Sequence, residues 1–434
     1  MVQSACGTLK RLAGAALAFA VALAPAAAQT IFIDNARLYT MGPQGLIENG
    51  DVLVRNGVIA AVGANLEAPE GASVIDAAGR VVTPGFFAPY SQLGLVEIGL
   101  DREANDAGPR GEFPLSAALD ALDAYNPSSS LIAINRAGGV TRALAAPEPG
   151  DKLFAGRAAV VDLSGRVASV TKPQAAQVVA MGYAGARRAG DTRMGALALL
   201  RSYLDEAISY RSNPRDYVMR ARGPAFALAD LRALGPVVAG EQLLLVHANS
   251  ASDIRALLRI KNDYRLKMAI VGGAEAWRVA RELAAADAPV ILDPTANLPF
   301  SFEMLGSTLA NAARLHGAGV RIAFLAPDTH NLRLLPQMAG NAVANGLPYE
   351  AALAALTINA AAIYGLESRL GSIEAGKAAD LVVWDGDPLE VTARPAAVLI
   401  DGRAMSLDNR QTRLRDRYRD LSRGDLPHAY RGEN

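Results

Sequence analysis

Four histidines occur in the 434 residues: His247, His316, His330 and His428. An imidazole can ligate a divalent metal or pass protons near neutral pH, so the placement of these four bounds the chemistry open to the chain. His247 ends the apolar run of LLLVHANS, which reads as the C-terminal end of a strand. Asp328 and His330 follow a second apolar run in RIAFLAPDTHNLR. His316 and His428 lie away from any strand end, so no further histidine cluster is hidden in the sequence. A catalytic zinc usually takes three protein ligands and a water. His247 and Asp328 make two, and His330 completes three only if its loop folds inward. Each also has a plain structural reading: a histidine hydrogen-bonded inside a core, a carboxylate capping the helix that follows, and an imidazole on a loop.

The elements that must position these groups are legible in the pattern of runs and turns. From Ile31 to Val82 short apolar runs are cut by turn signals, and Asn56-Gly57 between two of them predicts a type I′ hairpin. The same texture returns in KAADLVVWDGDP and PAAVLIDGRAM. Neither fragment has enough strands to be stable alone, so the two ends are expected to combine into one small β-sandwich. The middle alternates strands with helices. Strands are expected at VVTPGFFAP, GVTRALAAP, RAAVVDLSG, AQVVAMGYA, QLLLVHA, KMAIVGG, PVILDP and RIAFLAPD. Eight such strands predict a TIM-like (β/α)8 barrel with its site at the strand C-terminal ends. The expected boundaries are a signal peptide at 1–28, sandwich at 29–82, barrel at 83–366, sandwich again at 367–404, and a C-terminal helix and tail at 405–434. Two loops are candidate lids: the long Asp-, Gly- and Pro-rich stretch after the first strand, and LAAPEPGDKLFAG after the second. Glu97 and Asp101 in the first of these read as solvated loop charges.

Composition narrows the partners. Lys+Arg and Asp+Glu both number 43, so no global field draws the chain to nucleic acid or an anionic membrane. Lys10 and Arg11 before the run Leu12–Leu23, with Ala26-Ala27-Ala28 after it, form a secretory signal pattern. A periplasmic or secreted protein is expected, with no stable membrane insertion after cleavage, because the run is shorter than a span. The single cysteine, Cys6, would leave with the signal, so disulfide and thiolate chemistry are not expected.

Two segments then become specific. VVTPGFFAPYSQLGL resembles the first barrel strand of the amidohydrolase superfamily, where Thr-Pro-Gly leads into a His-x-His pair. LTINAAAIYGLESRLGSIEAGKAADLVVWDGDPL is similar to that family's last helix and its return into the sandwich. The resemblance runs from about Ile31 to Leu421 and is closest to the imidazolonepropionase-like branch. It implies hydrolysis of a carbon–nitrogen bond by a metal-bound water, with His247 as the fifth-strand ligand and Asp328 as ligand and proton carrier. The first-strand histidines fall on Tyr90 and Gln92, and the acid before them falls on Ala88. VVAMGYAG holds no bridging lysine or acid, and AIVGGAEAW offers only Gly272 and Gly273 for the sixth-strand histidine. The expectation is therefore at most one divalent metal, zinc first, or none, with Tyr90, Gln92 and His330 lining the pocket of a small amide or cyclic amide. The alternative is a catalytically inactive pseudoenzyme that binds a small molecule or supports an active paralogous amidohydrolase subunit. A third reading is metal-independent catalysis with Tyr90 or Asp328 as acid or base.

Overall fold

The Asn56-Gly57 turn forms as its residue types require. The two residues take φ of 52° and 83° and join β2 (Leu46–Arg55) to β3 (Val58–Gly63) in a two-residue hairpin, with β1 (Thr30–Tyr39) pairing along the other side of β2. A side chain at position 57 would also press on the Asp401 carbonyl, so this turn packs tightly against the C-terminal part of the sheet. The computed structural model describes residues 30–219 and 226–419. The expected signal peptide and His428 lie outside these residues.

The two chain ends meet as expected. β4 (Ser73–Asp76) and β5 (Val81–Pro84) pair with β1, and β5 in turn takes β14 (Leu381–Trp384). Beyond β14 come β15 (Pro395–Ile400) and β16 (Arg403–Ala404). Ile31, Ile33, Leu38, Val52, Val82, Leu381 and Leu399 form the core of this sheet domain. The strand expected at VVTPGFFAP is divided at Gly85. Its first half is β5 of this sheet, and its second half, β6 (Phe86–Ser91), begins the barrel. The structural boundary thus falls at Gly85, where an added Cβ would collide with the Thr141 side chain.

The barrel sheet runs in chain order from β6 through β7 (Val140–Ala145), β8 (Phe154–Asp162), β9 (Val170–Ala180), β10 (Leu243–Ala248), β11 (Met268–Gly272) and β12 (Val290–Leu292) to β13 (Ile322–Phe324). β13 comes back beside β6, so the eight strands form a nearly closed barrel. One strand departs from the all-parallel expectation. β8 is antiparallel to both β7 and β9, because only residues 146–153 and 163–169 join the three strands. A parallel crossover needs a dozen or more residues, so these lengths permit only hairpins.

Helices cover the other connections: α1 (Ser130–Arg136) after β6; α2 (Gly182–Ala186), α3 (Arg193–Ser212), α4 (Pro214–Val218) and α5 (Leu228–Val238) after β9; α6 (Ala251–Tyr264) after β10; α7 (Ala280–Ala285) after β11; and α8 (Asn311–Gly317) after β12. After β13 a 3-10 helix, Thr329–Leu334, leads into α9 (Leu335–Ala344), α10 (Tyr349–Leu356) and α11 (Ile358–Ile363). The charged C-terminal helix is α12 (Arg410–Arg419), which has no buried residue. Strand periodicity divides the core in two. Leu144, Val160, Val178, Leu245, Val271 and Ile291 fill the barrel interior with residues of α11. Their neighbours in sequence, such as Leu244, Val246 and Ile270, pack outward against the helices.

Candidate functional site

His247 faces the barrel interior because it is two residues beyond Leu245 on β10, and alternate strand residues share a face. Its Nε2 is enclosed and has no hydrogen-bond partner, although the residue as a whole is only partly buried. Burial pushes its pKa down to about 4, so the imidazole is neutral at neutral pH. Its neighbour is Tyr90, whose ring stands edge-on at 4.8 Å between centroids. Strict alternation from Phe87 would turn Tyr90 outward, but the register with β7 shifts between Ala88 and Ser91 and brings it into the interior cluster. Burial, helped by the nearby Glu148 carboxylate, raises the Tyr90 pKa well above the usual phenol value. Next to it, the Tyr364 hydroxyl donates to the Pro89 carbonyl and its ring stacks on Phe87 at 5.7 Å. The interior beside His247 is therefore filled by aromatic rings.

The loop after β13 places the other predicted residues. Asp328 and His330 are both exposed. The Asp328 carboxylate meets Asn331 Nδ2 at 3.4 Å but does not cap the 3-10 helix that it precedes. Thr329, between them, turns toward Gln92: its hydroxyl donates to Gln92 Oε1 and accepts from the Gln92 amide, both at 3.1 Å. Asn135 holds this arrangement from α1, donating to the Thr329 carbonyl and accepting from the Arg333 amide, both at 2.9 Å. The structure thus groups Tyr90 with His247 and Gln92 with Thr329, and leaves Asp328 and His330 at the surface.

Several mouth residues carried no signal strong enough to single them out. Glu303, on the loop after β12, accepts from the Tyr183 amide at 2.8 Å and from Asn249 Nδ2 at 3.2 Å, tying three loops together. Arg188 pins the second lid candidate by donating to the Gly150 and Pro149 carbonyls. Of the acids in the first loop, Glu97 accepts from Ser130 at the start of α1, and Asp101 caps the Glu103 amide. Of these residues Thr329 has the plainest sequence signal, lying between Asp328 and His330. Asn249, two residues past His247, had the spacing of a second strand-end group.

The Amidohydrolase family model matches residues 228–406. Over 395 residues the chain is 30% identical to the imidazolonepropionase of Caulobacter vibrioides, covering 83% of this chain and 94% of that protein. The chain belongs to the amidohydrolase superfamily. Among solved structures, the crystal structure of an amidohydrolase from Thermotoga maritima MSB8 superposes with a TM-score of 0.78 at 30% identity, covering 87% of this chain and 99% of that one. The chain is also 27% identical over 390 residues to amidohydrolase tasK of Hapsidospora irregularis; the match covers 82% of this chain but only 40% of tasK. Within the superfamily this amidohydrolase is an imidazolonepropionase-like member.

Amidohydrolases typically bind a divalent metal, but the donor set here does not fit a three-ligand centre. Tyr90 and Gln92 present a neutral phenol and a neutral amide where two imidazoles would stand, and Tyr90 packs against the one remaining imidazole. At Gly272, one of the two positions open to a sixth-strand histidine, a Cβ would lie 2.6 Å from Asn249 Oδ1 at φ +96°, and at the other, Gly273, it would lie 2.9 Å from the Val290 side chain at φ +59°. Among the described residues no group of three or more His, Cys, Asp or Glu is placed to hold a metal. The donors reduce to a single buried nitrogen, His247 Nε2.

Proposed function

We propose that this amidohydrolase is a pseudoenzyme: it binds a small neutral amide or cyclic amide in the barrel mouth without cleaving it, and works beside an active paralogous subunit. The observation that carries the reading is the Tyr90 ring set edge-on to His247, with Phe87 and Tyr364 packed beneath. These rings fill volume that a metal and its water would need. What the mouth retains suits an amide group, since Gln92 offers both donor and acceptor atoms. The secretory pattern of residues 1–28 supports a periplasmic or extracellular setting for this role. A second reading, hydrolysis of a carbon–nitrogen bond around one weakly held divalent ion such as zinc, rests on the unpartnered His247 Nε2.

Elemental analysis of chelator-free protein, before and after incubation with zinc, manganese or iron, separates the two. The pseudoenzyme reading expects no stoichiometric metal, and expects uptake to appear when Tyr90→His and Gln92→His are introduced together. About one tightly held ion per chain that is lost in His247→Ala would overturn it and revive the hydrolase.

A further inference from the structure

A cavity of about 530 Å³ opens on the flank of the molecule, between the end of α1, the 3-10 helix Thr329–Leu334, the segment after β14, and α12. Its volume falls in the range of small-molecule sites. Three guanidiniums line it, those of Arg333, Arg394 and Arg415, against one carboxylate, Glu390. Two of the three are already engaged: Arg394 Nη1 donates to the Val391 and Ala393 carbonyls, and Arg415 pairs with Asp416 at 2.7 Å.

Arg333 is different. Its main chain is fixed by Asn135, its side chain is half-buried, and its Nε is enclosed with no hydrogen-bond partner. Among the described residues it forms no ion pair. With Nε shut away from solvent, the terminal N–H groups are the ones that an incoming oxyanion from the cavity would meet. Around it, Leu334, Pro336, Trp384 and Leu407 give the cavity an apolar wall. Trp384 lies at the back of this wall, 2% exposed, with its Nε1 committed to Thr83 Oγ1 at 2.9 Å.

We infer that this cavity is a second ligand site, separate from the barrel mouth, for a small molecule that presents a carboxylate or phosphate to Arg333 and an apolar body to Leu334 and Leu407. Charge favours an anion, since with Arg415 paired to Asp416 the guanidiniums of Arg333 and Arg394 still outweigh the one lining carboxylate, Glu390. Fork geometry favours an oxyanion, since Arg pairs with two oxygens at once.

The test is isothermal titration of the full chain with inorganic phosphate and with benzoate, at constant ionic strength. Saturable binding of at least one probe is expected, with an affinity at least about tenfold weaker in Arg333→Lys, which keeps the charge but loses the fork. His247→Ala should bind as the wild type does, which keeps this result independent of the barrel-mouth reading. Tighter benzoate than phosphate would assign a carboxylate with an apolar body, and the reverse a phosphate. If neither probe saturates, or if Arg333→Lys with an unchanged Tm binds as tightly as the wild type, the site does not exist.

Discussion

A buried imidazole with no partner leaves a trace in the pH dependence of stability, and His247 is such a group. Unfolded, it takes a proton near its ordinary value of 6.5; folded, burial delays this to about 4. Above 6.5 both states are neutral and the fold keeps its full stability. Between 6.5 and about 4 only the unfolded chain binds the proton, so stability falls with pH, and below about 4 this contribution levels off. The loss is on the order of 3 kcal/mol. Urea midpoints of the wild type and His247→Asn, compared across this window, should diverge, with the variant the flatter. Parallel pH profiles would mean that His247 is not held neutral by burial.

At the scale of elements, the fold was legible where turn chemistry and apolar runs agreed. The Asn56-Gly57 hairpin, the two-ended sheet domain and all eight barrel strands follow from those signals. The direction of β8 did not, because a buried strand reads the same either way, although the lengths of its flanking loops held the answer. Site geometry was legible in part. His247 was placed by strand parity, whereas Tyr90 depends on a register shift that a pattern of two cannot foresee. That Thr329, and not its neighbours, turns inward is fixed by a long-range contact from Asn135, 194 positions away. Asn135 is fully buried and serves two main-chain groups at once. Asn135→Ala should therefore cost about 2–3 kcal/mol in urea unfolding, as two buried polar groups lose their partners. Proteolytic nicking should rise at the loop that carries Thr329. A change under about 0.5 kcal/mol would show that the 3-10 helix is held by other contacts.

At the scale of the whole molecule, barrel and sheet domain are joined by a buried charge network that no short motif announces. Arg142 on β7 is 5% exposed, and its guanidinium bonds both oxygens of Asp380, Asp401 Oδ1 and Thr171 Oγ1. Asp380 and Asp401 flank β14 and β15, so the ion pairs cross from one sheet to the other. Burial works against the Arg142 charge, but the carboxylates of Asp380 and Asp401 outweigh it and keep the group protonated. Such a network adds little over a well-packed apolar contact, yet removing one partner strands the other's charge. Arg142→Met should accordingly lower stability by about 3–5 kcal/mol. Adding Asp380→Asn to that variant should restore part of the loss, because Asp162 and Asp401 keep Arg166 at 3.8 and 3.3 Å whereas the charge of Asp380 would be left unpaired, and the new side chain can still accept from the Asp401 amide, which meets Asp380 Oδ1 at 2.8 Å. If the double variant is no more stable than Arg142→Met alone, the penalty lies in lost packing around the arginine stem, and the two domains are held together by contacts such as Trp384 on Phe86, 5.1 Å apart, rather than by charge.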